Sequence, residues 1–134
     1  AYDPKTGVWK QLAKLRTPRR GCGCAVYRDQ LWVVGGNDGQ QSLSSVEILD
    51  SPTSEWRAGP SMVCTRANTK AIVTAGNVIY VIGGFNGKAF LNTIECLESE
   101  ATGWRNWQQS ATEDIPEEEE EGDEDTETLK ESEA

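Results

Sequence analysis

A chain of 134 residues with 37% apolar residues and a formal net charge of −9 has the length of one ordinary domain, and its apolar content is low for a compact globule. It contains no histidine, which excludes Ser-His and Cys-His catalytic pairs, and no apolar run approaches a membrane span. Nor does the opening Ala1-Tyr2-Asp3-Pro4 carry the pattern of a signal peptide.

In chain order, the stretch from Ala1 to Trp9 reads as the end of one strand unit. Tyr2-Asp3-Pro4-Lys5-Thr6-Gly7 turns between its third and fourth strands, and Trp9 sits on the fourth. Leu12 to Pro18 then crosses to the next unit. From Arg19 to Arg57 the pattern predicts four strands, near Cys22–Tyr27, Gln30–Gly35, Ser45–Leu49 and Glu55–Ala58. Within the second of these, Leu31-Trp32-Val33-Val34 is a continuous apolar run, expected to be buried on both faces. It stops at Gly35-Gly36, where the backbone takes φ > 0 or another backbone comes close. Asp38-Gly39 turns the chain. Gly59-Pro60 and Met62 form the next crossing. From Arg66 to Trp107 four more strands are predicted, near Lys70–Thr74, Val78–Gly83, Thr93–Glu98 and Trp104–Gln108. Ala75-Gly76-Asn77 is the tight turn of the inner hairpin. The run Ile79-Tyr80-Val81-Ile82 again stops at two glycines, Gly83-Gly84, before Asn86-Gly87.

The two units are copies. Gly35 and Gly83 are 48 positions apart, as are Trp56 and Trp104; Trp9 and Trp56 are 47 apart, as are Arg19 and Arg66. Val46-Glu47 returns as Ile94-Glu95 after 48 positions, so the period is 47 or 48 with a one-residue indel before Tyr80. Four short strands per unit, with turns at even spacing, is the sequence sign of a propeller blade.

These residues resemble the Kelch repeats: the double glycine after Leu31-Trp32-Val33-Val34, the Ser45-Val46-Glu47 strand and the spaced Trp56. The resemblance covers about residues 1 to 107. The form Gly35-Gly36-Asn37-Asp38-Gly39 and the start Tyr2-Asp3-Pro4 are most similar to the Kelch-like subfamily. The resemblance implies an all-β fold, a partial Kelch β-propeller of two four-stranded blades plus the end of a third; the composition of the C-terminal stretch adds a disordered acidic tail. The expected divisions are 1–18 for the preceding blade's end and the crossing, 19–65 and 66–111 for the two blades, and 112–134 for the tail. Kelch rings close with roughly six blades. An open arc leaves apolar faces without a neighbour, so the chain is expected to be the C-terminal piece of a longer protein. Kelch-like proteins carry BTB and BACK domains upstream, and neither lies within this sequence.

The candidate binding residues are Arg19, Arg20 and Arg66, together with Asn37, Asp38, Asn86 and Lys88. Arg19 and Arg66 recur shortly before the innermost strand of each blade. In the Kelch-like family arginines there can face the central pocket, and a planar guanidinium suits carboxylates. The competing reading is structural: each arginine pairs with Glu47 or Glu95. Arg20 is adjacent and could substitute for Arg19. Asn37, Asp38, Asn86 and Lys88 lie in the loops after the double glycines, where function often sits on a rigid scaffold; turn chemistry alone also accounts for Asn37, Asp38 and Asn86. Gly35, Gly36, Gly83 and Gly84 are expected to be structural. Trp9, Trp32, Trp56, Tyr80 and Trp104, one or two per blade, are expected in the core. Trp107 is extra to the pattern.

The cysteines are Cys22, Cys24, Cys64 and Cys96, with no Cys-x-x-Cys among them. That pattern argues against zinc and for buried free thiols in a reducing cytoplasm. Neither a metal nor a cofactor is expected: the double glycines lack the Gly-Lys-Ser/Thr of a phosphate loop. Thr112 to Ala134 holds thirteen acidic residues and one basic one, which leaves the repeats at +3 and the tail at −12. Such a block stays disordered. The mild positive charge of the repeats, and the tail itself, argue against nucleic acid. The expected function is protein–protein interaction, with an acidic peptide as one candidate partner. By resemblance, the parent is a substrate-recognition subunit of a cullin-3 ubiquitin ligase, cullin-3 being held only by upstream domains. The alternative is an actin- or cytoskeleton-binding module, and a catalytic propeller is disfavoured.

Overall fold

The computed structural model describes residues 1–108, so the acidic segment 112–134 and its expected disorder lie outside the described residues. Strands alone, with no helix, make up the regular structure of the described part. β1 (Tyr2–Asp3) and β2 (Val8–Trp9) form a two-stranded antiparallel sheet. β3 (Gly23–Tyr27), β4 (Gln30–Val34), β5 (Val46–Leu49) and β6 (Arg57–Ala58) follow one another across a four-stranded antiparallel sheet. β7 (Lys70–Val73), β8 (Ile79–Ile82), β9 (Ile94–Leu97) and β10 (Arg105–Asn106) repeat that meander. Every predicted strand is found, each trimmed by one to three residues. Trp56 and Trp104 stand just ahead of the fourth strand of their blades.

The local chemistry explains the hairpins. Arg28 and Asp29 both take φ > 0 (49° and 61°) and join β3 to β4 as a two-residue turn, the geometry that matches strand twist. The inner hairpin of the second blade turns through Asn77, also at φ > 0, whose N–H donates to the Thr74 carbonyl at 2.9 Å. Gly36 and Gly84 sit at φ 95° and 97°. A Cβ on Gly36 would lie 2.9 Å from the Arg20 carbonyl oxygen, and one on Gly84 would lie 2.7 Å from that of Ala67. Both reasons for a glycine, the dihedral and the close backbone, therefore apply at each position.

The core lies between the two blades. From the first blade and the crossing come Tyr27, Trp32, Val34, Val46, Ile48 and Met62, and from the second Ile79, Val81, Leu97 and Trp104. Trp32 is fully buried and meets the rings of Tyr27 and Trp104 edge-on, at 5.3 and 6.5 Å. The innermost strands β3 and β7 run side by side, as blades converging on one axis must. Backbone bonds stitch the blades near that axis. The N–H of Gly36 donates to the Arg66 carbonyl at 2.8 Å, and that of Asn68 to the Gly21 carbonyl at 2.7 Å.

Two expectations need correction. The central strand of the first blade is buried on both faces, with Trp32, Val33 and Val34 all inside, but its copy is not. Side chains alternate along β8: Ile79 and Val81 enter the core, while Tyr80 is half-buried and Ile82 is 40% exposed. With Ile72, Ile94 and Trp107 they line an apolar depression on the far side of the second blade. Trp9 is 77% exposed instead of buried, because its two-stranded sheet carries no inner strands for the ring to pack on. Trp32 and Trp104 are buried, whereas Trp56, expected in the core, is half-buried beside the preceding crossing, and Trp107 is 39% exposed. The indole N–H of Trp56 donates to the Ala13 carbonyl at 2.9 Å and that of Trp104 to the Pro60 carbonyl at 2.8 Å, each pinning the preceding crossing.

Candidate functional site

Arg19 and Arg66 occupy equivalent sockets. The Nε–H of Arg19 donates to Glu47 at 2.8 Å; its Nη1 donates to the carbonyls of Gly35 and Ser45, and its Nη2 to the Ser45 hydroxyl. Arg66 repeats this with Glu95 at 2.7 Å, the carbonyls of Gly83 and Thr93, and the Thr93 hydroxyl. Each carboxylate also accepts two backbone N–H groups of the incoming crossing. For Glu47 they are those of Arg16 and Thr17; for Glu95, those of Val63 and Cys64. Arginine, glutamate and crossing thus form one closed network per blade. The Arg66 and Glu95 side chains are 0% exposed, and those of Arg19 and Glu47 nearly so. A rim position for Arg19 and Arg66 is therefore corrected: both guanidiniums are enclosed and spent on their own blade, as Glu47 and Glu95 are.

The loop residues divide. The Asp38 carboxylate accepts the backbone N–H groups of Gln40 and Gln41, and Asn86 does the same for Lys88 and Ala89. The bonds from Gln41, then Gln40, hold the Asp38 carboxyl below its ordinary value. These two side chains set turns. The Asn37 side chain accepts from Gly39. The Lys88 ammonium, by contrast, has no carboxylate partner among the described residues, and the same holds for the Arg20 guanidinium.

Arg20 is exposed on the loop face of the arc. It pairs backbone-to-backbone with Asn37, its N–H and carbonyl bonding at 3.0 and 2.9 Å. In the second blade the same bridge joins Ala67 to Phe85, at 2.8 Å in both directions. A cleft opens between the two bridges, lined by Arg20, Gly21, Asn37, Ala67, Asn68 and Phe85. Phe85 in turn touches Phe90, with ring centroids 5.2 Å apart, and Phe90 is 86% exposed. The structure thus brings Arg20 and Asn37 together, with Asp38 beside them, and removes Arg19 and Arg66. Asn68, Phe85 and Phe90 were not among the candidates read from sequence. Their signal lay in comparing the repeats loop by loop: Phe85 stands where the first blade has Asn37, and Phe90 where it has Ser42.

Among the described residues no three His, Cys, Asp or Glu side chains gather to hold a metal ion. The described cysteines are free thiols, but only Cys96 is buried; Cys22 and Cys64 are half-buried and Cys24 is exposed, which corrects the expectation of burial for all. Partial desolvation, and then the Cys22 thiol beside it, push the Cys24 thiol up, so that it stays protonated at neutral pH. No helix of the described residues is long and apolar enough to cross a membrane.

Comparison with known proteins agrees with the blade geometry. The Kelch motif matches residues 18–63 and 67–106, one match per four-stranded sheet. The chain is 34% identical over 79 residues to Kelch-like protein 7 of Rattus norvegicus, covering 59% of this chain and 13% of that protein. It is 36% identical over 72 residues to Kelch-like protein 4 of Homo sapiens, covering 54% and 10%. With Kelch-like protein 41a of Danio rerio it shares 34% over 80 residues, covering 60% and 13%. The chain thus spans about an eighth of the length of these relatives or less. Two Kelch matches, each laid on one meander with its Gly-Gly turn and its buried Arg–Glu pair, establish that the chain belongs to the Kelch repeat family.

Proposed function

We propose that this chain is part of the target-binding propeller of an adaptor for a cullin-3 ubiquitin ligase. Kelch propellers act as protein-interaction modules, and this one binds through its loop face. The observation that carries the reading is the cleft at the junction of the two blades. There Arg20, Asn37, Asn68 and Phe85 stand exposed or half-exposed on a frame whose Arg19–Glu47 and Arg66–Glu95 pairs are internally satisfied. Side chains that the fold does not consume, held on rigid backbone bridges, are the material of a recognition surface. The similarity to Kelch-like proteins supports the ligase context, in which upstream domains hold cullin-3 and the propeller holds the target. The reading is one of binding, and the absence of histidine leaves no Ser-His or Cys-His pair in this chain.

The test uses the longer protein that carries this chain, expressed in cells with and without Arg20→Ala. The expected result is that both forms co-precipitate cullin-3, while the variant loses a target that the parent ubiquitylates. Co-sedimentation with filamentous actin without any capture of cullin-3 would contradict the proposal.

A further inference from the structure

The two blades are built alike, so a difference between equivalent positions that the fold does not need asks for another explanation. Asn37 and Phe85 make the same backbone bridge, to Arg20 and Ala67 respectively, and Ser42 and Phe90 close the same loop onto them. The polar pair serves the first blade and the aromatic pair the second, so the backbone geometry does not require aromatic rings. Nor do the rings fill a core: Phe90 is 86% exposed and Phe85 is half-exposed. The loop that holds them is preorganised. Leu91 N–H donates to the Gly84 carbonyl at 2.8 Å, Asn86 N–H to the Ala89 carbonyl at 3.1 Å, and the Asn86 side chain caps the turn. An ordered, exposed aromatic pair is an anchor of the kind that dominates interfaces.

The charges nearby select its partner. Arg20 shares the cleft with Phe85, and Lys88 lies on the aromatic loop itself; both cations lack a carboxylate partner among the described residues. Asp38, beside Arg20, accepts two backbone N–H groups on its Oδ1 and forms no ion pair with either cation. We infer that Phe85 and Phe90 form an apolar anchor for a peptide segment of the partner protein in which a bulky apolar side chain neighbours a carboxylate. The apolar side chain packs on the ring pair and the carboxylate meets Arg20. This deepens the function proposed above and rests on its reading of the loop face as the binding surface.

The test is a pair of selections from a phage-displayed library of random twelve-residue peptides against the 134-residue chain. One selection is depleted on the Phe85→Asn/Phe90→Ser double variant, and the other on Arg20→Ala. The double variant installs the first blade's own residues, so its backbone bridges are retained, and a thermal melt matching the parent confirms it. The expected result is that the same peptides emerge from both arms, rich in aromatic or large aliphatic residues with Asp or Glu beside them. Each then binds the double variant at least about tenfold more weakly than the parent. Peptides from the Arg20 arm alone overturn the aromatic anchor and leave the loop face standing. Peptides from the phenylalanine arm alone, or peptides without an acidic residue, overturn the paired recognition. No peptides from either arm overturn both the anchor and the binding face.

Discussion

Arg19 and Arg20 are neighbours with opposite fates. Successive side chains near a strand point to opposite sides, so one guanidinium enters the blade and the other meets solvent. The sequence left that choice open. The repeat held the clue: Arg19 has a counterpart in Arg66, whereas Arg20 aligns with Ala67. A side chain required in every blade serves the blade; one present in a single copy is free to serve something else. The double glycines were legible from residue type alone, because at Gly36 and Gly84 φ lies near +95° and a Cβ would come within 2.7 to 2.9 Å of a facing carbonyl oxygen. Gly36→Val and Gly84→Val are each expected to cost about 2 kcal/mol or more, through dihedral strain and the clash with the facing carbonyl. Thermal melts read the effect. A midpoint equal to the parent's for either variant would show that the backbone there has room to shift.

At the scale of the element, the strands and their order were legible because each apolar run ends in punctuation and each blade repeats the last. The outer-rim electrostatics were not, because they join residues distant in sequence. Arg57 of β6 reaches both Asp50 in its own blade and Glu100 in the next, each at 2.8 Å. The Glu100 bond, then the Asp50 bond, hold the guanidinium protonated. In return Arg57 holds both carboxyls below their ordinary values. Folded-state values lower than unfolded ones mean that this contribution is complete above the ordinary carboxylate range, about pH 4, and is lost as pH falls through the lowered folded values. Salt-sensitive surface pairs of this exposure are individually weak. Arg57→Gln is therefore expected to lower the melting midpoint modestly at pH 7 and by progressively less towards pH 3. Melts of parent and variant across that range measure it. A gap between them that widens on acidification would contradict the pairing.

The described residues form two complete blades joined by one core, together with the β1–β2 sheet, and an apolar face is left open on the second blade. Ile72, Tyr80, Ile82, Ile94 and Trp107 on that face stand where Ala25, Trp32, Val34, Val46 and Gly59 of the first blade face its neighbour. The number of blades, and so the open face, could be counted from the repeat. The binding cleft could not, because it arises where Arg20 and Asn37 of one blade meet Asn68 and Phe85 of the next, brought there by the shared core and by inter-blade bonds such as those from Gly36 and Asn68. On this account the arginines divide into a closed structural network and an exposed recognition residue. Equilibrium urea unfolding of the chain and of its Arg66→Ala and Arg20→Ala variants separates the two roles. Removing Arg66 strands Glu95 in the interior and is expected to cost about 3 to 5 kcal/mol, while Arg20→Ala stays within about 0.5 kcal/mol of the parent. Equal stabilities for the two variants, or a larger loss from Arg20→Ala, would contradict it.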